Sequence, residues 1–320
     1  MDLAPGRVQP LLRGAYGRDL YVHVESCPST QRLLPADAPH GAVAVAEHQT
    51  EGRGRLGREW VDEAGAGLTF SVVLRPGRPL QEWPTLTAVA GEAAAVAVER
   101  TAGVRLAVKP PNDLLLDGRK LAGILAEAQQ GRIVLGIGVN VTAAPYPGAA
   151  ALGPGVDRAV LLAELLLRLE RAFDAWSEAR RATADDAPLV LEVFRAARAA
   201  QELPFPPAAH EAEFTGRVLA HETWVVGERA FMALGERTLE YLYVHPAAQG
   251  RGVGTALLGL VKALRPGGFE LRVFQRLGRT RRFYERHGLE LVRLGDGREN
   301  VERLPDAVYR WRPTATRPAG

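Results

Sequence analysis

Two lysines lie within one short segment of a chain that otherwise takes nearly all of its positive charge from arginine. Lysine and arginine together number 40, but only three of these residues are lysines: Lys109, Lys120 and Lys262. An ammonium is a compact charge that can move among phosphate oxygens, whereas a guanidinium is a rigid planar fork. Lys109 and Lys120, on either side of Asn112-Asp113, therefore indicate anion chemistry in this segment.

A β-hairpin is predicted to position this chemistry, because Asp117-Gly118 is a strong two-residue turn signal between two apolar runs. Pairing across the turn sets Leu116 opposite Arg119, Leu115 opposite Lys120, and Asp113 opposite Ala122. Asp113 and Lys120 then share a face as diagonal neighbours, with Cβ atoms about 7–8 Å apart. The spacing fits a catalytic pair and, equally, an ion pair that only stabilises a sheet.

A second candidate is the loop at residues 52–60, where three glycines alternate with three arginines: Gly52, Gly54 and Gly57 with Arg53, Arg55 and Arg58. Glycine leaves backbone amides accessible, and arginine forks fit phosphate and carboxylate oxygens. A solvated basic turn or a nucleic-acid tail would have the same composition. The loop lies between apolar segments 41–46 and 68–74, so we expect it inside a domain, closing over an anion.

Four ordered motifs resemble the catalytic domain of biotin protein ligases over about residues 18 to 180. They are Ser29-Thr30-Gln31, Gly52–Trp60, Lys109–Glu127 and residues 136–140. The resemblance implies an α/β (α+β) fold, with a class II synthetase-like mixed sheet and flanking helices. It also implies that the biotin carboxylate attacks the α-phosphate of ATP, giving biotinyl-5′-AMP, and that a carrier-protein lysine then takes the biotin. Lipoate ligases share the fold but usually lack this loop.

The same resemblance implies roles for individual residues. They are biotin binding by Ser29, Thr30, Gln49 and Arg53; adenylate binding by Arg55, Arg58, Asn112, Lys120 and Asn140; and catalysis by Lys120, Asp113 and Arg55. A cation such as Lys120 between two anions lowers their repulsion and stabilises the transition state. ATP implies Mg²⁺, but no acidic cluster has the spacing of a dedicated cage, so no metal ligand is predicted.

The chain departs from the family pattern at several positions. Pro110 stands where tryptophan is usual, and Thr50 replaces a second glutamine. The first 17 residues are too few for a winged helix-turn-helix, so we expect no nucleic-acid partner. The family's small C-terminal β-barrel is also not recognised.

A second domain is expected after the ligase. Helices are predicted at 157–176 and 184–200, so the ligase domain is expected at 1–203, with a helical tail. A linker at 204–207 then opens a domain at 204–320. From about residue 210 to residue 312, the chain resembles GNAT acetyltransferases. The resemblance rests on a strand at 239–246, the turn at 249–255, a helix, a strand at 270–274 and the segment at 282–288.

The GNAT resemblance implies acetyl-CoA binding by Val244, Gln249, Gly250, Arg251, Gly252 and Gly254. Tyr284 matches the tyrosine that protonates the leaving thiolate, and Glu240 is either a base or a solvated acid. Leu277 stands where many members have asparagine. The family's first strand and first helix are not recognised, so a partial GNAT-like α/β domain is expected.

The composition of the chain narrows the range of possible functions. A net charge of +3 does not indicate nucleic acid, and no apolar run or signal peptide indicates a membrane, so a cytoplasmic enzyme is expected. The methionines, Met1 and Met232, do not flank a lysine, so the biotin acceptor is expected in trans, as the carrier domain of a carboxylase such as acetyl-CoA carboxylase. The alternative is a regulatory protein, non-catalytic or slow, that senses biotin and acetyl-CoA.

Overall fold

The computed structural model describes residues 2–204, 210–298 and 300–314. It divides into two compact units, Met1–Phe173 and Asp174–Gly320. In the described part of the chain, no helix combines the length and apolarity needed to cross a membrane.

The first unit is built on a mixed seven-stranded sheet with the order β1-β2-β3-β7-β6-β5-β4. The strands are β1 (Tyr21–Cys27), β2 (Val43–Gln49), β3 (Gly67–Leu74), β4 (Ala107–Lys109), β5 (Asp113–Leu116), β6 (Arg119–Gln129) and β7 (Arg132–Asn140). β1 and β2 are parallel, and the remaining pairs are antiparallel. All eight residues of β3 are buried, as expected for a central strand that is covered on both faces.

Three helices belong wholly or partly to this unit: α1 (Pro5–Val8), α2 (Leu86–Ala102) and α3 (Arg158–Glu178). α2 packs against β4, β5 and β6. It ends at Gly103, whose φ of 72° is the left-handed conformation that terminates helices and favours glycine. The predicted mixed sheet with flanking helices is confirmed.

The predicted hairpin is β5–β6, and its turn has positive φ at both Asp117 (50°) and Gly118 (77°), as a type I′ turn requires. Leu116 pairs with Arg119 and Leu115 with Lys120, as predicted. The predicted pairing of Asp113 with Ala122 is wrong, because Asp113 lies opposite Gly123. The register shifts by one residue at Leu121, whose side chain is fully buried, so a bulge separates the turn from the outer half of the hairpin.

The second unit is a seven-stranded sheet with the order β13-β14-β12-β11-β10-β9-β8. Its strands are β8 (Ala179–Arg181), β9 (Glu222–Val226), β10 (Ala230–Leu234), β11 (Thr238–Val244), β12 (Phe269–Phe274), β13 (Glu290–Gly295) and β14 (Asp306–Trp311). Its helices are α4 (Ala187–Ala199), α5 (Glu211–Ala220), α6 (Val253–Leu264) and α7 (Gly278–Arg286). The parallel strands β11 and β12 pair only at Thr238–Glu270 and Leu239–Leu271, so they separate towards their carboxyl ends.

β8 was not predicted from the sequence, whereas α4 corresponds to the helix predicted at 184–200 as part of the ligase tail. β8 pairs with β9 through Ala179 and Val226, and α4 packs against α5, β10 and β11. The second sheet therefore includes an opening strand and helix, and residues 174–203 lie in this unit rather than in the expected ligase tail. Residues 205–207 of the predicted linker lie outside the described residues.

Candidate functional site

A cavity of about 250 Å³ opens on the sheet of the first unit. It collects all of the predicted biotin and adenylate residues except Asn140. Its lining includes Ser29, Thr30, Gln31, Gln49, Arg53, Arg55, Arg58, Trp60, Phe70, Asn112, Asp113, Lys120, Ile124, Ile137 and Tyr146. A concave site with apolar walls and a few convergent polar groups is the usual form of a small-molecule site.

Lys120 and Asp113 form an ion pair on the cavity wall, with 2.8 Å between Nζ and Oδ1. The side chain of Lys120 is 32% exposed and that of Asp113 is 18% exposed, so the ammonium is held in place and still reaches the cavity. Lys109, on β4, is paired with Asp113 in the sheet but does not line the cavity.

One end of the cavity is a network of neutral polar groups. The Thr30 N–H donates to Gln49 Oε1 at 2.8 Å, and the Thr30 hydroxyl lies 2.8 Å from Ser71 Oγ. Ser29 is buried and also lines the cavity. Ser71 was missed because it lies within a strand that is otherwise apolar.

Asp62 supports this network from behind, since the Gln49 N–H donates to its Oδ1 at 3.3 Å. His48 Nδ1 lies 3.2 Å from the same oxygen. Burial raises the pKa of the Asp62 carboxyl, while the Gln49 hydrogen bond and His48 act in the opposite direction. Asp62 was not predicted, and no sequence motif pointed to it.

Trp60 lies in a slot made by two glycines that face each other across the sheet, Gly123 on β6 and Gly138 on β7. A β-carbon at Gly138 would lie 2.3 Å from Trp60 Cε2, and one at Gly123 would lie 3.2 Å from Cζ3. Lys120 Nζ is 5.7 Å from the centre of the Trp60 ring, within cation–π range. Trp60 Nε1 is buried and has no hydrogen-bond partner among the described residues.

Gln31 belongs to a recognised motif but was assigned no role. Its Nε2 donates to the Leu125 carbonyl at 3.1 Å. Its Oε1 is buried and has no hydrogen-bond partner in the described part of the chain. Gly136 makes room for this side chain, because a β-carbon there would lie 2.7 Å from Gln31 Nε2. Gln31 therefore presents an unused acceptor at the cavity.

The Arg-Gly loop is anchored at its start and open at its tip. Arg53 forms an ion pair with Glu127 on β6 at 3.0 Å. Within residues 2–204, 210–298 and 300–314, Arg55 and Arg58 have no acidic partner, and both line the cavity. Between them, Leu56 is 91% exposed and has a φ of 56°. The loop therefore directs two uncompensated guanidinium groups towards the site.

The side chains of the two predicted asparagines donate hydrogen bonds to backbone carbonyls. Asn112 Nδ2 donates to the Ile124 carbonyl at 3.1 Å, and Asn140 Nδ2 donates to the Ala150 carbonyl at 3.0 Å. Asn112 also lines the cavity, whereas Asn140 does not. A direct nucleotide contact by Asn140 stays a prediction.

The described residues contain no group of three or more His, Cys, Asp or Glu side chains that could hold a metal ion. Asp113, an acid that lines the cavity, is already paired with Lys120. The donor set of the described residues does not fit a dedicated magnesium cage.

In the second unit, the predicted Gly-rich turn leads into α6. Gly250 and Gly252 have φ of 74° and 87°, and Gly252 is the residue before the helix. Gln249 Nε2 donates to the Val244 carbonyl at 3.2 Å, which ties the turn to β11. Gly254 lies in the first turn of α6, and Arg251 is exposed. Free amides at a helix start suit a pyrophosphate.

The two candidate acid–base residues of the second unit lie in different surroundings. Tyr284 on α7 is buried, and burial, with Tyr243 nearby, raises the pKa of its hydroxyl, so the proton stays on the oxygen near neutral pH. Glu240 is exposed and accepts a hydrogen bond from Thr238, as a solvated acid would.

Comparison with known proteins gives a family match within each of the two units. Residues 24–143 match the biotin/lipoate A/B protein ligase family, and residues 215–290 match the acetyltransferase (GNAT) domain. The biotin–[acetyl-CoA-carboxylase] ligase of Mycobacterium tuberculosis is 43% identical over 196 residues, which cover 56% of this chain and 73% of that protein. The chain belongs to the biotin protein ligase family. Biotin ligase and GNAT domains are therefore confirmed as the components that the sequence indicated.

Other biotin protein ligases match a smaller fraction of this chain. The bifunctional ligase/repressor BirA of Bacillus subtilis is 37% identical over 177 residues, covering 49% of this chain and 54% of BirA. The chain thus spans about half the length of the first curated relatives that it matches. The biotin protein ligase from Aquifex aeolicus, solved with biotin and ATP, is 31% identical, with 50% of this chain and 72% of that chain covered and a TM-score of 0.45.

Proposed function

We propose that the first unit is an ATP-dependent biotin–protein ligase. It forms biotinyl-5′-AMP and transfers biotin to a lysine of a carrier domain, such as that of acetyl-CoA carboxylase. The observation that carries the proposal is Lys120, held by Asp113 on the cavity wall, in a cavity that Arg55 and Arg58 also line. Three cations converge where two anions, a carboxylate and a triphosphate, must meet.

In the first step, a biotin carboxylate oxygen attacks the α-phosphorus of ATP and the bond to pyrophosphate breaks. Lys120 lies between the two anions and stabilises the negative charge that accumulates on the α-phosphate oxygens. Arg55 and Arg58 neutralise the triphosphate, and loop closure excludes water that would hydrolyse the product. Ser29, Thr30 and Gln49 supply the donors and acceptors for the ureido ring of biotin, and Ser71 holds the Thr30 hydroxyl in place.

In the second step, the neutral amine of the carrier lysine attacks the biotinyl carbonyl carbon. The bond to AMP breaks, AMP leaves with the electron pair, and the attacking nitrogen loses a proton to solvent. Lys120 and the loop arginines favour AMP as the leaving group because they bind its phosphate. Magnesium, if it accompanies ATP, would arrive with the phosphates. Use of ATP places the proposed reaction in the cytoplasm.

The test is biotin-dependent exchange of pyrophosphate into ATP, followed by biotinylation of a purified carrier domain with the protein at catalytic concentration. We expect multiple turnovers and loss of exchange in K120A. A single turnover per protein molecule would instead favour the slow regulatory alternative. No adenylate formation in the wild-type protein would refute the ligase assignment.

For the second unit we infer acetyl-CoA binding, with acetyl transfer as its chemistry. The supporting observation is the turn at Gly250–Gly252, which opens α6 next to the separated ends of β11 and β12. Calorimetry with acetyl-CoA tests it directly. Replacing Gly252 by valine, which strains a backbone φ of 87°, is expected to weaken binding at least tenfold. Gly267→Val, at a glycine of the same unit with no positive φ and nothing within 4 Å of a β-carbon, is the matched control.

A further inference from the structure

A buried arginine lies in the second unit at the side of its sheet where α4 ends. Arg198 is 3% exposed. Its Nη2 is 3.0 Å from Glu302 Oε1, and its Nε donates to the Pro204 carbonyl at 2.6 Å. The guanidinium also lies 5.1 Å from the Phe194 ring and 5.8 Å from the Phe274 ring. A buried cation is costly unless a carboxylate meets it, so this environment is built around an anion.

Arg198 lies where the central strands of the second sheet separate. Phe274 is the last residue of β12. Tyr243, near the end of β11, packs edge-on against Phe194, with 4.8 Å between the ring centres. Tyr243 is also close enough to Tyr284 to affect that hydroxyl. The proposed thiolate acid, the strand opening and the buried guanidinium are thus parts of one cluster.

The carboxylate that meets Arg198 comes from an exposed segment, not from the core. Glu302 lies between β13 and β14, next to Val301, which is 91% exposed, and its own side chain is 26% exposed. An anion supplied by a surface segment can be exchanged for another of the same charge at small cost, whereas one supplied by a packed strand cannot.

We propose that Arg198 and Glu302 form the acceptor site of an acetyltransferase whose substrates are small amines bearing a carboxylate, that is, amino acids. This rests on the acetyl-CoA function inferred above. The acceptor carboxylate replaces Glu302 at Arg198, and Glu302 then faces the ammonium group. A purely cationic acceptor would place its charge against a buried guanidinium, so diamines and polyamines are disfavoured.

Acetyl transfer requires a free amine on the acceptor. The ammonium gives one proton to Glu302, and the free amine attacks the thioester carbonyl carbon. The carbon–sulfur bond breaks, and the thiolate takes the proton of the Tyr284 hydroxyl. The nitrogen loses its second proton, and Tyr284 regains one from solvent. The products are the N-acetyl amino acid, free coenzyme A and one proton.

The experiment follows thiol release from acetyl-CoA by the full chain, with each amino acid, its carboxamide and an aliphatic diamine as acceptors. We expect amino acids to react, with kcat/KM at least tenfold lower for the carboxamides and diamines. Equal or faster reaction of acceptors without a carboxylate overturns the proposal. Acetyl-CoA binding without transfer to any amino acid also overturns it, while leaving the acetyl-CoA function intact. Absence of acetyl-CoA binding refutes both.

Two variants separate binding from proton transfer. Arg198→Gln is expected to raise KM for the amino acid at least tenfold while acetyl-CoA binding is unchanged. Glu302→Gln, whose folding is verified by circular dichroism because it leaves the buried Arg198 without its carboxylate, is expected to lower kcat about tenfold without raising KM. Arg195→Gln is the control, because Arg195 lies on the same helix and pairs with Glu211 rather than with Glu302. If selectivity and kcat are unchanged in both variants, Arg198 and Glu302 only stabilise the fold, and the proposal is overturned.

Discussion

Lys120 Nζ lies 2.8 Å from Asp113 Oδ1, although the cross-strand partner of Asp113 is Gly123. The bulge at Leu121 leaves Lys120 opposite Leu115 but shifts the residues opposite Leu114 and Asp113 by one position relative to a regular hairpin. A glycine opposite Asp113 leaves space that the Lys120 chain fills, since a β-carbon at Gly123 would lie 3.4 Å from Nζ. The position of the proposed catalytic ammonium therefore depends on a bulge and a glycine together.

Replacing Lys120 by alanine is expected to reduce biotin-dependent ATP–pyrophosphate exchange by about 10²–10³-fold, because a preorganised charge at the reacting phosphate is lost. Lys109→Ala is the matched control, since it removes the neighbouring lysine outside the cavity and should leave the exchange rate within about twofold of wild type. Equal losses in the two variants would contradict the assignment of Lys120.

Asp113→Asn is expected to lower kcat for adenylate formation about tenfold, with a smaller change in KM for biotin. The amide keeps the shape of the side chain but no longer holds the ammonium in one place. Steady-state kinetics of biotinyl-AMP formation measure the split. A rise in KM alone would indicate that Asp113 acts in biotin binding instead.

Gly138→Ala is expected to weaken biotin binding by at least about tenfold, because the new β-carbon would overlap Trp60. Gly155→Ala is the control in the same unit, since nothing lies within 4 Å of a β-carbon there. Calorimetric titration with biotin gives the dissociation constants. In a double-mutant cycle with Trp60→Ala the two effects should be non-additive, and additivity would show that Gly138 acts elsewhere.

The second unit should lose stability in acid through Asp186. Its pKa is lowered to about 2, mainly by the Arg180 hydrogen bond, and the Thr183 N–H donates to Oδ2 at 2.8 Å. A depressed carboxyl pKa stabilises the fold fully above the unfolded value of 3.8, and the contribution disappears as pH falls towards 2. Arg180 is 56% exposed, so solvent screening limits the contribution to about 1–2 kcal/mol.

Asp186→Asn should therefore lower the free energy of unfolding of the second unit by that amount at pH 7, and by progressively less between pH 4 and pH 2. Urea titrations across this range test the trend. Asp185→Asn, an exposed neighbour in the same turn, should have little effect. A wild-type advantage that is constant with pH would exclude the ionic explanation.

Truncation distinguishes the observed division of the chain from the one that the sequence suggested. A fragment of residues 174–320 should fold, whereas residues 204–320 should not. The shorter fragment lacks β8 and the α4 side chains Val190, Val193 and Phe194, which form a core with Phe214 and Phe231. Circular dichroism and thermal melting of both fragments provide the measurement. Cooperative unfolding of the shorter fragment would show that α4 is dispensable.

The features that could be predicted from the sequence were those set by residues close together in the chain. The turn at Asp117-Gly118 and the proximity of Asp113 and Lys120 follow from residue types and spacing within ten residues or so. The bulge at Leu121 could not be predicted, because an apolar run carries no mark of an extra residue. β8 was missed because Ala179-Arg180-Arg181 is short and has no apolar alternation, so its pairing depends on the rest of the sheet.

The parts of the candidate site that the sequence could not supply depend on tertiary contacts. Trp60 fits its slot only because Gly123 and Gly138 meet across two strands, and Ser71 and Asp62 reach the polar network from elements distant in the chain. The sequence motifs identified most of the residues that line the cavity. The groups that support them, such as Ser71 and Asp62, could not be predicted because their positions depend on packing. The roles of individual residues stay predictions that the variants above can decide.

The scarcity of lysine limits how far the proposed enzyme can acylate itself. An acyl adenylate reacts with any neutral amine nearby, but guanidinium groups stay protonated and do not attack it. Lys262 is 4% exposed and donates to the His287 carbonyl at 2.6 Å, and Lys120 is paired with Asp113. Of the three lysines only the half-buried Lys109 is left as a target. A protein whose positive charge is almost all arginine can therefore hold a reactive intermediate without becoming its own substrate.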